Sequence, residues 1–132
     1  MGLPKIHRLR HRHDFSRVYN EGLRRSTNWI TLRALFHLPE HHLPASDSLS
    51  PPQPVATQIG IVVSLKVSKR AVVRNRIRRR IQAAMSCLLP RIAPGWKLVI
   101  IVRPNLTECN YGEILQQLEK LLIEAKVLHG NS

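Results

Sequence analysis

Residues 58–89, QIGIVVSLKVSKRAVVRNRIRRRIQAAMSCLL, change hydrophobic period part-way along. Gln58 to Leu65 is rich in isoleucine and valine, which predicts a strand. From Ser68 to Leu89, Val73, Ile77, Ile81, Ala84 and Leu88 recur at helical spacing and form a stripe about 80° wide for a 3.6-residue turn. The remaining circumference is cationic: between Lys69 and Arg80 seven of twelve side chains are lysine or arginine and none is a carboxylate. Neighbours one turn apart, Arg70 with Arg74 and Arg74 with Arg78, repel, and each such pair costs about 0.2–0.5 kcal/mol in an isolated helix. A charged face serving solubility alone mixes both signs. A strand feeding an uncompensated basic helix therefore predicts a docked polyanion.

Working outward, Asp14 opens a helix in which Phe15, Val18 and Tyr19 share one face and Gly22 closes it. Trp29 to Leu38 alternates: Ile30, Leu32, Ala34, Phe36 and Leu38 form an apolar face, while Trp29, Thr31, Arg33 and His37 share the other with Leu35. Between Pro39 and Thr57 five prolines interrupt any helix or ladder, so residues 39–57 are expected to form a flexible, proline-rich surface loop. Trp96 to Arg103 is a continuous apolar run, the pattern of a strand covered on both faces, and Pro104 ends it. Asn110 and Glu113 predict a capping box opening a last helix, with Ile114, Leu115, Leu118, Leu121, Leu122, Ala125 and Leu128 inward. The expected fold is α+β, one domain over residues 1–132, with a single sheet of three to four strands flanked by helices in the order α-β-β-α-β-α.

Lysine and arginine number 21 against 8 acidic residues, a net charge of +13. The charge is segregated: Ser48 to Thr107 contains no acid, whereas Glu108, Glu113, Glu119 and Glu124 outnumber Lys120 and Lys126 in the last segment, which is expected to face away from the polyanion. Arginine prevails over lysine on the basic helix, and its planar fork suits RNA phosphates and bases better than a point charge. Asn75, a mediocre helix former, offers amide donors and an acceptor to a nucleotide. Cys87 and Cys109 lack paired spacing, as expected of reduced thiols in a cytoplasm. Leu98 to Val102 is far too short to span a membrane. His7, His11, His13, His41 and His42 have no zinc-site spacing and are expected to add pH-dependent charge. The scattered carboxylates offer no nuclease-like acid cluster and no Ser/His/Asp order.

Lys66 to Arg79, KVSKRAVVRNRIRR, resembles the signature of the ribonuclease P protein family, whose core is an Arg-Asn-Arg triplet with a short basic continuation. Arg74, Asn75 and Arg76 match the triplet. Gly60 to Ser64 resembles the family's preceding strand, Asp14 to Gly22 its first helix and Leu98 to Arg103 its later strand. Three positions depart from the pattern: Leu65 and Arg78 stand where lysine is common, and Arg33 where many members carry an aromatic ring.

The resemblance implies a sheet whose β-α-β crossover through the basic helix is left-handed, against the general preference. It implies a protein subunit of ribonuclease P, which binds a catalytic RNA and the 5′ leader of precursor tRNA and assists endonucleolytic removal of that leader. The implied RNA-binding residues are Lys66, Lys69, Arg70, Arg74, Asn75, Arg76, Arg78 and Arg79. A leader cleft is implied at Phe15 and Tyr19, and Trp29 and Arg33, on the polar side of the first strand, are expected to extend it. Catalysis is implied in the RNA, with no catalytic residue, cofactor or metal in the protein; magnesium is expected in the RNA subunit. Neither DNA nor a membrane is an expected partner, and the expected compartment is the cytoplasm. The alternatives are a structural rRNA-binding protein of ribosomal type and a nuclease acting alone.

Overall fold

A computed structural model of the chain describes residues 3–36, 56–104, 106 and 110–127. The expected proline-rich loop lies outside these residues except at its end, where Thr57 is buried and tied down. Its hydroxyl donates to the Ala93 carbonyl at 2.7 Å and accepts from the Trp96 N–H at 3.2 Å.

Helix α1 (Arg12–Glu21) is followed by strands β1 (Leu23–Ser26), β2 (Ile30–Phe36) and β3 (Gln58–Val62), helix α2 (Ala71–Leu88), strand β4 (Trp96–Val102) and helix α3 (Tyr111–Glu124). The four strands form one mixed sheet in the order β1-β2-β4-β3. β1 pairs antiparallel with β2 and β2 with β4, whereas β3 and β4 are parallel and α2 lies in the connection between them. β1 is an addition to the expected element order. Its four residues, LRRS, are all exposed at the sheet edge, so no apolar alternation announces them.

The main core lies between the sheet and the two long helices. Ile30, Leu32 and Ala34 of β2, Ile59 of β3, and Leu98, Ile100 and Val102 of β4 meet Ile77, Ile81, Ala84, Met85 and Leu88 of α2 and Ile114, Leu118, Leu121 and Leu122 of α3. The predicted stripe of α2 is thus its buried face, with Val73 partly covered and Met85 added. The capping box on α3 forms as expected: Asn110 Oδ1 accepts from the Glu113 N–H at 2.9 Å, and Glu113 Oε1 accepts from the Asn110 N–H at 3.1 Å.

On the opposite face a smaller cluster, Leu9, Val18 and Val99, is bordered by Phe15, Tyr19, Leu35, Val62 and Ile101. Leu3 and Leu9 are both core residues, although the charged N-terminal segment around them has no legible period. That segment bridges Arg8 to Ile59 alongside β3, with the Leu9 N–H donating to the Ile59 carbonyl at 3.0 Å.

Candidate nucleic-acid interface

The strand register sets the α1 face of the sheet in rows. Thr31, Ile101 and Val62 stand side by side across β2, β4 and β3; Arg33, Val99 and Gly60 form the next row, and Leu35, Lys97 and Gln58 the third. α1 lies over the second and third rows. Phe15 sits above Gly60, where an added Cβ would lie 2.5 Å from the ring. Gly60 is therefore the residue that lets the ring approach the sheet backbone.

Beneath Tyr19, the Arg33 guanidinium carbon lies 5.2 Å from the ring centroid, and Nη1 donates to the Tyr19 carbonyl at 3.0 Å. The arginine that replaces a common aromatic thus stacks on the helix above it. Phe15 and Tyr19 are only partly buried, so both pack on the small core and keep an open edge. The first row, with Val62 and Ile101 half-buried, leaves an apolar floor beside them.

β3 ends at this row and runs on through residues 63–70 into α2. Val67 turns inward, while Leu65, Lys66, Lys69 and Arg70 are exposed. Arg70 occupies the N-cap of α2 without a side-chain cap bond, and the first turn carries no acid. The positive end of the helix dipole therefore coincides with a cluster of cations, an arrangement that attracts phosphate. Arg76, Arg79 and Asn75 are exposed, and Arg74 and Arg78 half-exposed. Arg74 Nη1 donates to the Ser68 carbonyl at 2.9 Å, bracing the turn before the helix, and Arg78 Nη1 donates to Asn75 Oδ1 at 3.1 Å. The Asn75 amide NH2 has no hydrogen-bond partner among the described residues.

Asp14 and Lys97 pin the far end of α1. Their charged groups are 2.9 Å apart, with side chains 17% and 11% exposed. In the sequence Lys97 is indistinguishable from the general basic surplus, because its partner is 83 positions away. The Lys97 hydrogen bond, opposed by burial, holds the Asp14 carboxyl below its ordinary value of 3.8. A carboxylate depressed in the folded state stabilises the fold above its unfolded pKa and loses that contribution as pH falls through the folded value. We therefore expect Asp14→Asn to lower stability at pH 7 by roughly 1–2 kcal/mol, allowing for partial solvent screening. Denaturant unfolding of both proteins between pH 7 and pH 3 checks this: the gap between them should close below the ordinary carboxylate range.

Of the expected leader residues, Phe15, Tyr19 and Arg33 come together. Trp29 does not: its ring packs against the main core on the α2 and α3 side, beside Gln117 and Lys120. It precedes β2 in a turn whose N–H groups bond the Thr27 hydroxyl, so strand alternation does not set its direction. Gly60 is the site residue sequence reading missed.

No helix among the described residues is long and apolar enough to cross a membrane. The family model described as Ribonuclease P matches residues 3–126. The ribonuclease P protein component of a Nostoc species is 53% identical over 142 residues, covering 100% of both chains. That of Microcystis aeruginosa is 45% identical over 99% of this chain and 100% of its own. Among solved structures, the RNase P protein of Staphylococcus aureus matches with a TM-score of 0.70 at 23% identity, covering 93% of this chain and 98% of that one. The Thermotoga maritima RNase P protein gives 0.69 at 21%, over 89% and 96%. At that identity the two structures speak for the fold alone. The family model over residues 3–126 and the full-length relatives make this chain a member of the ribonuclease P protein family.

Proposed function

We propose that this chain, a protein subunit of ribonuclease P in tRNA processing, acts by holding two RNAs at adjoining surfaces. The N-terminal half of α2, with Lys66, Lys69, Arg70, Arg74, Asn75, Arg76, Arg78 and Arg79, binds the catalytic RNA. The cleft between α1 and the sheet takes the single-stranded 5′ leader of precursor tRNA on Phe15 and Tyr19. Catalysis belongs to the RNA, with magnesium bound there, and the protein contributes binding and orientation in the cytoplasm. The observation supporting this division is continuity along the chain: the row of Thr31, Ile101 and Val62, in which Ile101 and Val62 are half-buried and Thr31 is buried, includes the last residue of β3, from which the chain runs on into the basic helix. One RNA on the helix and another strand in the cleft would be neighbours.

Reconstitution is the test. Added to a ribonuclease P RNA at low magnesium, the protein is expected to restore cleavage of precursor tRNA at the leader junction. Alone, with magnesium, it is expected to cut nothing. A protein that leaves the RNA's activity unchanged would be an rRNA-binding protein instead, and chelator-sensitive cleavage by the protein alone would make it a nuclease.

A further inference from the structure

The cleft does not end at α1. The first two rows continue onto the edge strand, where Ser26 stands beside Thr31 and Arg24 beside Arg33. Directly opposed residues of an antiparallel pair project from the same face, so Arg24 and Arg33 are two cations side by side on the leader face of the sheet. Like charges in that position are unfavourable, and no ion pair offsets them among the described residues. Glu21, the acid closest in sequence, pairs with Arg17 at 3.5 Å. Arg33 is engaged with the Tyr19 carbonyl and ring, and its buried Nε has no acceptor among the described residues. Arg24 is exposed, and its guanidinium has no hydrogen bond or ion pair among the described residues. Arg25 points to the other face beside Leu32, and its Nη1 donates to the Arg24 carbonyl at 2.8 Å.

We propose that Arg24 is a phosphate-binding residue for the leader where it leaves the cleft over β1. This rests on the cleft as the leader site. The strand would enter beside α2, cross the row Val62, Ile101 and Thr31, pass the open edge of Tyr19, and cross the sheet edge at Ser26 and Arg24. A phosphate there offsets the Arg24–Arg33 repulsion and accepts from a guanidinium fork that the protein leaves unused. The surface is thus a second cationic contact on the far side of the cleft from the basic helix, selective for backbone and indifferent to base.

The experiment uses the assembled holoenzyme and precursor tRNAs with leaders of increasing length, comparing wild type with Arg24→Gln and Arg24→Glu. Wild-type affinity should rise with leader length and level off. Both variants should level off at a shorter leader, Arg24→Glu binding the longest substrate roughly three- to tenfold more weakly. Arg24→Gln should lower the salt slope for that substrate by about 0.7, as for one lost single-strand phosphate contact. Mature tRNA and the catalytic RNA alone should bind as to wild type. If wild type gains from the leader and the variants gain equally, Arg24 has no such role. If the variants lose the catalytic RNA to the same degree, the surface belongs to that RNA and the assignment is wrong. If wild type itself gains nothing from a leader, the cleft assignment falls and this one with it.

Discussion

Replacing Arg74 and Arg76 together by alanine is expected to weaken assembly with the catalytic RNA by about a hundredfold, since a charge-assisted hydrogen bond contributes about 1.5–3 kcal/mol. The fold should lose far less. Arg76 is exposed, and removing it relieves repulsion on a helix whose described N-terminal half contains no acid. Arg74 has a second role, because its bond to the Ser68 carbonyl braces the turn that starts α2. Losing that bond costs about 1 kcal/mol, partly offset by about 0.2–0.5 kcal/mol for each like-charge neighbour relieved. The melting temperature of the double variant should therefore fall by no more than roughly 5 °C. Arg76→Ala alone separates the two roles: it should weaken assembly at nearly unchanged melting temperature. A loss of RNA binding that tracks a large loss of stability in both variants would make the triplet structural. Binding titrations and thermal unfolding on the same preparations decide it.

The sequence made the helices legible because their physics is local. The stripe from Val73 to Leu88 and the Asn110–Glu113 box need only the 3.6-residue period and one capping rule, and both stand as expected. β2 and β4 followed from alternation and from a run buried on both faces. β1 was not legible, since LRRS at an exposed edge is held by pairing with β2 alone. Leu3 and Leu9 were equally hidden, each buried by tertiary contact within a segment dominated by charge.

The same division runs through the site. The basic residues of α2 are contiguous and announce themselves. The cleft is assembled from four distant segments, so its parts read as unrelated: Gly60 as an ordinary strand glycine, Lys97 as surplus charge and Trp29 as a platform it does not join. Arg33 was expected to stack on RNA. In the fold its guanidinium lies against the Tyr19 ring and holds the C-terminal turn of α1.

That arrangement makes Tyr19→Ala the sharpest probe of the cleft. Stacking of one base on an aromatic ring contributes about 1–3 kcal/mol, so affinity for leader-bearing substrate should fall roughly 5- to 150-fold. The ring also packs on the cluster of Leu9, Val18 and Val99, so some stability is lost too. The discriminating quantity is therefore the ratio of affinities for precursor and mature tRNA, in which a general loss of folded protein cancels. Tyr19→Ala should collapse that ratio towards one, whereas Tyr19→Phe, which keeps the ring over Arg33, should preserve most of it. Assembly with the catalytic RNA should be unaffected in both, because Tyr19 packs on the small cluster on the face of the sheet opposite α2. An unchanged ratio in Tyr19→Ala would mean that the ring serves only to seat α1 on the sheet. The leader would then have to be sought elsewhere.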